Sequence, residues 1–274
     1  MSVKRFRKGT FFCIMMKMEN PIWYAIQKPN LIAGTTKRYG GHSIAPFASF
    51  NLAFHTGDDS KNVEANRDML SKIINFPRSQ MVMTYQSHST VLKRVTSQDA
   101  GKGNHQFNDG VVADALYTTE KNLLLGVFHA DCVPVFLYHT KSNLIAIIHA
   151  GTPGSLDSIS QKAVEQLKVE MNINPLDLVA YLGPSLDFAH HPISQEKANA
   201  LLQKNHKLKD VIKKIGNKLF LDIPLLNYLQ LVDAGLSPRS IHVSNLDTYS
   251  NDKEYFSFDR DQKTGRHISF IALR

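Results

Sequence analysis

Hydrophobic positions recur along the chain at two spacings, and each spacing predicts a different kind of element. In four segments, apolar side chains return every three or four positions, which is typical of amphipathic helices. These segments are residues 62–74, 156–171, 194–204 and 223–234. Ser158 and Gln161 have the spacing of a capping box, which predicts the N-terminus of the second helix.

Continuous apolar runs mark the centre of the chain, at residues 123–129, 134–139 and 144–150. Such runs predict strands that are covered on both faces, in the middle of the main sheet. Shorter apolar stretches predict strands at residues 81–85, 91–95 and 178–182 and near Ile241, Phe256 and Ile268. Helices and strands alternate without a linker, so we predict one α+β domain over residues 19–274.

The first eighteen residues differ from this pattern, because they are basic and precede every predicted element. A short apolar stretch at residues 10–16 superficially resembles a signal peptide, but it is short and no small-residue cleavage site follows. We therefore predict residues 1–18 to be a basic, disordered extension. They contain five of the basic residues behind the formal net charge of +8, so that charge is weak evidence for a nucleic-acid partner.

Composition narrows the class of protein. A chain of 274 residues with 43% hydrophobic residues can bury a full core, and no apolar run approaches the roughly 20 residues that span a bilayer. Two cysteines cannot form a disulfide framework, which favours a reducing cytoplasm. No RRM, zinc-finger or helix-turn-helix signature supports a nucleic-acid-binding module. We expect a cytoplasmic protein without a nucleic-acid or membrane partner.

Two residues at the ends of central strands are candidates for chemistry. Cys132 lies between two apolar strands, and His149 ends the third, directly before a glycine turn. Ligand sites cluster at such strand ends, and zinc prefers cysteine and histidine ligands. Cys132 has two other interpretations, a buried hydrophobe or a nucleophile with His149 as its base. Asp114 and Asp131 are candidate general acids or bases, although Asp114 could instead cap a turn.

Several motifs occur in the order of a known family: TKRYGGHSIAPFASFNLAFHTGDD, QSH, ADALYT, HADCVPVFLY, IIHAG, YLGPS, FSFDRD and TGR. From about Gly34 onward the chain resembles the YfiH-like family, called multicopper polyphenol oxidoreductases (laccase-like) and later purine nucleoside phosphorylases. The resemblance implies mixed β-sheets in an α/β/β/α-type sandwich, similar to the catalytic domain of cytotoxic necrotising factor toxins.

The same resemblance implies a site. Its metal ligands would be His88, Cys132 and His149, holding zinc, with copper less favoured. Three further positions match polar residues of the family motifs and become candidates for binding substrate, as does Asp114: Arg38, Asn51 and Arg266. The implied reactions are phosphorolysis of adenosine, inosine or methylthioadenosine and deamination of adenosine, with a purine nucleoside and phosphate as small-molecule partners.

The chain departs from the family pattern near these residues. The family usually has HAGWRG or HAGWKG where this chain has HAGTPG, so Thr152 and Pro153 replace an aromatic residue and a cation. The paired arginines before TGR are here Asp259 and Arg260. The loop after GP contains His190 and His191, either of which could contact substrate or face solvent.

Four alternatives to a zinc-dependent nucleoside enzyme stay open at this point. Cys132 and His149 could serve an amide hydrolase or a cell-wall precursor editing enzyme. A copper-dependent polyphenol oxidase is a third enzyme class, although no full multicopper motif set is visible. The replacements at Thr152 and Pro153 could also have inactivated this member. A nucleic-acid or partner-binding module is supported only by the basic net charge.

Overall fold

The computed structural model describes residues 20–274, so the predicted basic extension at residues 1–18 lies outside the described part. The strands are β1 Ile22–Lys28, β2 Leu31–Thr36, β3 Met81–Tyr85, β4 Leu92–Arg94, β5 Val111–Val112, β6 Ala115–Thr118, β7 Leu123–His129, β8 Val133–His139, β9 Ile145–Ala150, β10 Leu178–Leu182, β11 Pro192–Ile193, β12 Ile212–Ile215, β13 Lys218–Leu221, β14 Ile241–Val243 and β15 His267–Leu273. The α-helices are α1 Ser60–Ile74, α2 Thr152–Leu156, α3 Ile159–Glu170, α4 Gln195–Lys204 and α5 Ile223–Asp233.

Two six-stranded mixed sheets form the centre of the molecule. The strand order is β1-β2-β15-β7-β3-β5 in the first and β14-β10-β8-β9-β6-β4 in the second. In the first sheet β7 pairs antiparallel with β15 and parallel with β3. In the second, β8 and β9 form an antiparallel pair that also contacts β10 and β6. The third sheet is small and has the order β11-β13-β12.

The alternation of side chains along β7 shows how the layers are built. Leu125 and Val127 pack between the two large sheets, where they meet Ile145 and Ile147 of β9. The intervening even-numbered positions, such as Leu124, pack on the opposite face in the same cluster as residues of α1. Successive strand residues point to opposite faces, so both faces of β7 must be apolar when both are covered.

The second sheet is covered on its outer face by helices. Residues of β8, β9 and β10 form one buried cluster with α3 and α5, which includes Val135, Ile148, Ala163, Val164 and Leu231. The order of layers is therefore helix, sheet, sheet, helix, and the predicted α+β fold of α/β/β/α type is confirmed. Its likeness to the cytotoxic necrotising factor domain stays a prediction.

Most predicted elements are present. Helix α1 begins after Asp59, whose side chain accepts a hydrogen bond from the Lys61 backbone N–H, and ends at Asn75 in the left-handed region. The predicted helices 194–204 and 223–234 correspond to α4 and α5, and the predicted strands 81–85 and 178–182 to β3 and β10. The strand expected at residues 91–95 is shorter, because only Leu92–Arg94 pairs with β6.

Two predictions were wrong. The helix expected over residues 156–171 is present as α3, but it begins three residues later, at Ile159, because Ser158 directly before it adopts a φ of 65°. Its side chain makes no capping hydrogen bond, so the predicted capping box is absent. No strand forms near Phe256, where the buried backbone instead donates from its N–H to Nε2 of His267 at 2.8 Å.

One end of the sandwich collects the candidate residues. Strands β3, β7 and β9 finish there, and the Ala130 to Cys132 turn joins β7 to β8 at the same end. Arg266 also lies there, because it directly precedes β15. Among the described helices, none has the length and apolar character needed to cross a membrane.

Candidate metal centre

Three potential metal ligands meet at this end of the sandwich. His88 follows β3, Cys132 precedes β8 and His149 is the penultimate residue of β9. Their ligand atoms all lie within 4.8 Å of one another. The two imidazole rings are in edge-to-face contact, with centroids 4.9 Å apart. The structure therefore brings together all three residues of the predicted ligand set.

Asp114 positions both histidines through hydrogen bonds to the His149 side chain and the His88 backbone. It is fully buried, and its carboxylate accepts a hydrogen bond from Nδ1 of His149 at 2.9 Å. It also accepts from the backbone N–H groups of Ser87, His88 and Ser89 and from the Ser89 hydroxyl, at 2.7 to 3.2 Å. These bonds hold the loop in which His88 has a φ of 59°. Because Nδ1 of His149 is occupied, its Nε2 is the nitrogen available for a metal.

Gly151 supplies the space for the His88 ring. A Cβ atom at Gly151 would lie 2.5 Å from Cδ2 of His88 and 3.2 Å from Sγ of Cys132. Real Cβ atoms do not approach other atoms so closely, so a larger residue would displace the imidazole. Gly151, two residues after His149, is therefore a geometric requirement of the site.

The environment of Cys132 favours its thiolate. Burial raises the pKa of the thiol, but the charge of His149 and hydrogen bonds to His149 and His88 outweigh burial and lower the pKa to about 6. The same partnership raises the pKa of His149, because Cys132 and Asp114 stabilise the imidazolium more than burial destabilises it. Burial also raises the pKa of Asp114, but hydrogen bonds from His149 and Ser89 lower it to about 2. Thiolate is the form of cysteine that binds metals.

Two cavities adjoin Cys132 and share the walls formed by Ala130, Cys132 and Phe258. The larger, which we call the histidine compartment, has a volume of about 330 Å³. Its other lining residues are His55, Gln86, His88, Phe128, His129, His149 and Arg266. The smaller, which we call the acidic compartment, has a volume of about 110 Å³. Its other lining residues are Asp131, Ala150, Thr152, Leu186, His191, Ile223 and Asp259.

The predicted substrate-binding residues lie at different places. Arg266 lines the histidine compartment, and its guanidinium lies 5.2 Å from the centre of the Phe258 ring. Asn51 is fully buried, and its side-chain oxygen accepts a hydrogen bond from the backbone N–H of Arg266. It therefore positions the backbone of Arg266 and does not line the cavity. Arg38 lines neither compartment, because its guanidinium donates to the carbonyls of Ala48 and Asp252.

Sequence reasoning missed six residues that line the histidine compartment, and three of them carry rings that could contact a ligand: His55, His129 and Phe258. Burial, assisted by the charges of Arg266 and Arg67, lowers the pKa of His55 to about 4. Burial also holds the pKa of His129 well below its usual value, and Nε2 of that ring lies 2.8 Å from the Ser269 hydroxyl. The position of His129 at the end of an apolar strand could have identified it, because His129 is the last residue of β7 and His149 is the penultimate residue of β9.

The histidine pair after β10 is divided between two environments. His191 lines the acidic compartment, where burial lowers its pKa and the nearby Asp131 carboxylate opposes that effect. His190 instead stacks on Tyr249 with centroids 4.1 Å apart, and its Nε2 lies 3.0 Å from the Ser250 hydroxyl. Only His191 is placed to contact a molecule beside Cys132.

The sequence profile of the family described as multi-copper polyphenol oxidoreductase laccase matches residues 32–274. The chain belongs to this family. The resemblance seen in the motifs is thereby confirmed, and it spans nearly all of the described residues.

Two proteins named purine nucleoside phosphorylase are similar to this chain over most of its length. Purine nucleoside phosphorylase YlmD of Bacillus subtilis (strain 168) is 34% identical over 247 residues, which is 89% of each chain. A purine nucleoside phosphorylase of Haemophilus influenzae is 30% identical and covers 93% of this chain and 99% of its own length.

Solved structures of the laccase family share the fold. YlmD from Geobacillus stearothermophilus superposes with a TM-score of 0.84 at 30% identity, covering 90% of this chain and 93% of that one. The hypothetical protein YfiH of Bacillus licheniformis also gives a TM-score of 0.84, at 29% identity, and covers 93% and 100% of the two chains.

Two of the positions that depart from the family motifs line the same cavity. Thr152, at the start of α2, and Asp259, in the loop before β15, both line the acidic compartment. The Asp259 backbone N–H donates to the Asp131 carboxylate at 2.8 Å. Burial and the charge of Asp131 raise the pKa of Asp259. Two carboxylates, those of Asp131 and Asp259, therefore line this compartment.

Proposed function

We propose that this chain is a zinc-dependent enzyme that acts on purine nucleosides. The reactions that we assign are phosphorolysis of adenosine, inosine or methylthioadenosine and deamination of adenosine, with residues 19–274 as a single catalytic domain. The observation that carries the proposal is the convergence of His88, Cys132 and His149 beside a cavity large enough for a small molecule. The names of the relatives support a purine nucleoside as the substrate.

The ligand set fits zinc. A catalytic zinc site uses three protein ligands, with cysteine sulfur and histidine nitrogen among the preferred atoms, and leaves the fourth position open. Cys132 favours its thiolate, and His149 has the Asp–His arrangement that orients metal ligands. Gly151 leaves no spare room around the His88 ring, so that ligand is held in place.

Copper fits this site less well. A cysteine and two histidines also suit a single blue-copper centre, which usually adds a weak axial ligand. Within residues 20–274, His88, Cys132 and His149 form the one cluster of three or more histidine, cysteine or carboxylate ligands. A multicopper enzyme needs ligands for several ions, so we assign zinc.

The histidine compartment suits a purine nucleoside. Phe258 and Phe128 offer aromatic faces, and the Arg266 guanidinium can interact with a ring or a polar group. His55 and His129 are neutral near pH 7, because burial lowers the pKa of both. A neutral imidazole carries one donor and one acceptor, which is the combination that ring nitrogens and hydroxyls of a nucleoside require.

The side chains of the site have separate roles in metal binding, positioning and proton transfer. When bound, zinc supplies a Lewis acid that activates water or polarises a substrate atom. His88, Cys132 and His149 hold it, and Asp114 acts as a positioning residue, since its carboxylate is buried beneath His149 and already accepts several hydrogen bonds. His55 lines the compartment, and its neutral imidazole can accept a proton there.

The experiment incubates zinc-loaded protein with adenosine, inosine or methylthioadenosine, each with and without orthophosphate. We expect free base or deaminated product, and we expect His88→Ala to lose turnover and bound zinc while its circular dichroism is unchanged. His42→Ala, at an exposed histidine outside both compartments, is the matched control and should retain both. Absence of product from all three nucleosides with metal-loaded wild type would refute the proposal.

A second candidate function rests on one observation. Asp114, His149 and Cys132 are linked by hydrogen bonds in that order, which is the arrangement of an activated thiol nucleophile. It would support an amide hydrolase or a cell-wall precursor editing enzyme. Such activity would survive a chelator and be blocked by alkylation of Cys132, whereas the zinc enzyme would lose activity to the chelator.

A further inference from the structure

A third cavity lies between α3 and α5 and shares no lining residue with the two compartments beside Cys132. Its volume is about 500 Å³, which is within the range that small-molecule sites occupy. We call it the α5 cavity. Its lining combines apolar side chains, such as Leu208 and Leu226, with polar ones, such as Gln230 and Asp210. Walls of this mixed kind are typical of sites that bind small molecules.

Gln230 leaves a buried acceptor without a donor at this cavity. The residue is 6% exposed, and its Nε2 donates to the Ser155 carbonyl at 2.6 Å. Its Oε1 is buried and has no hydrogen-bond partner among residues 20–274. Buried polar atoms are almost always paired, because an unpaired one loses its hydration without compensation. A donor group on a molecule in the α5 cavity would supply the missing hydrogen bond.

The other lining residues define the chemistry of such a molecule. Leu208 and Leu226 are buried and offer an apolar surface. Asp210 and Asp233 also line the cavity, and no lysine, arginine or histidine whose side chain the structure describes does so. An ammonium group donates hydrogen bonds to an amide oxygen such as Oε1 of Gln230, and carboxylates attract it. The lining therefore favours a molecule with an ammonium group and an apolar body over an anion.

Helix α2 connects the α5 cavity to the loop between β3 and β4, which carries one of the candidate metal ligands. Gln230 holds this helix through the Ser155 carbonyl, and Asn227 donates to the Ser155 hydroxyl at 2.9 Å. The same helix lies against the loop, because a Cβ atom at Gly154 would be 2.9 Å from the Ser89 carbonyl oxygen. A ligand that fixes the Gln230 amide would therefore also fix one of the contacts that hold α2 in place.

We propose that the α5 cavity is an effector site for a small molecule that combines an ammonium group with an apolar body. The ammonium donates to Oε1 of Gln230, and the body packs on the leucines of the cavity. Binding fixes the Gln230 amide, which continues to donate to Ser155 and so stabilises α2 beside the candidate metal centre. The site is separate from the compartment assigned to the nucleoside, and no covalent bond is made or broken in it.

The first experiment titrates the whole chain with 2-phenylethylammonium and follows the ligand signals by NMR. We expect saturable binding to wild type. We expect 3-phenylpropionate, which has a similar apolar body but a carboxylate, to bind about tenfold more weakly or less. No saturable binding of the ammonium would show that water alone satisfies Gln230 and would overturn the proposal. Equal binding of the carboxylate would overturn the assigned class of ligand.

Two variants test whether the probe lies in the α5 cavity. Gln230→Leu removes the buried acceptor, and Leu229→Trp fills the cavity while keeping Gln230. Each should weaken the binding of 2-phenylethylammonium about tenfold or more. Leu225→Trp, at another half-buried leucine of α5 that does not line this cavity, is the matched control and should bind as wild type. Thermal unfolding checks that each variant is folded. Wild-type affinity in both cavity variants would place the probe elsewhere and contradict the proposal.

The last experiment measures hydrogen exchange by mass spectrometry, so it needs neither bound metal nor turnover. The Ser155 N–H donates to the Gly151 carbonyl at 2.8 Å within α2. Saturating 2-phenylethylammonium should slow the exchange of α2 amides about threefold or more in wild type but not in Gln230→Leu. Exchange in α1, which is distant in the chain, should be unchanged. Binding of the probe without slower exchange in α2 would overturn the effector role.

Discussion

Replacing Asp114 with asparagine tests how the protein orients its candidate metal ligands. The carboxylate accepts hydrogen bonds from Nδ1 of His149, from three backbone N–H groups and from the Ser89 hydroxyl. An amide has one acceptor oxygen and an NH₂ group, so at least one buried donor would face another donor. Residues that support a metal ligand in this way contribute about 10- to 100-fold in metal affinity. We expect Asp114→Asn to bind zinc about 10- to 100-fold more weakly.

The same change should also lower stability. Hydrogen bonds to a charged acceptor contribute about 1.5 to 3 kcal/mol each, and the loss of one or two in a buried site gives an expected decrease of about 2 to 5 kcal/mol in the free energy of unfolding. Zinc affinity is measured by competition with a chromogenic chelator, and stability by urea unfolding of the metal-free protein.

Asp247→Asn provides the matched control. Asp247 also accepts from three backbone N–H groups, those of Asp187, Tyr249 and Ser250, but it does not contact a candidate metal ligand. We expect it to lose stability and to keep wild-type zinc affinity. If Asp114→Asn bound zinc as wild type does, or if Asp247→Asn weakened zinc equally, the positioning role of Asp114 would be wrong.

Three further changes probe the site and the fold. Gly151→Ala should weaken zinc binding about tenfold or more, since its Cβ would lie 2.5 Å from the His88 ring, and equilibrium dialysis measures this. Asn66→Leu should lower the free energy of unfolding, measured with urea, by about 2 to 4 kcal/mol. The buried Asn66 amide accepts from the His42 N–H and donates to the Ser43 hydroxyl and to the carbonyls of Ser49 and Asn51. Asn62→Leu on the same helix is the control. Burial lowers the pKa of His267 to about 3, so below pH 6.5 the unfolded chain binds a proton that the folded protein does not, and stability falls as the pH drops toward 3. The free energy of unfolding lost between pH 7 and pH 5 should therefore be smaller in His267→Gln than in wild type. An unchanged loss would contradict this.

Prediction from the sequence succeeded where burial follows a local period. The apolar runs around Leu125 and Ile147 predicted central strands, and both lie between two covered layers. It failed at the Phe256 segment, because a buried aromatic residue can be held by an irregular loop, here through the imidazole of His267. It also failed at Ser158, which precedes α3 with a left-handed backbone and without the predicted capping hydrogen bond.

The sequence by itself determined the α+β class, the central strands and the chemical types that stand at their ends, because periodicity and residue chemistry are local properties. Only the tertiary structure brought His88 to Cys132 and His149, buried Asp114 behind them and moved Arg38 away from the cavities. It also placed Thr152 and Asp259 in one compartment. These outcomes depend on how two sheets pair and stack, and the spacing of residues along a chain does not specify which strand ends meet.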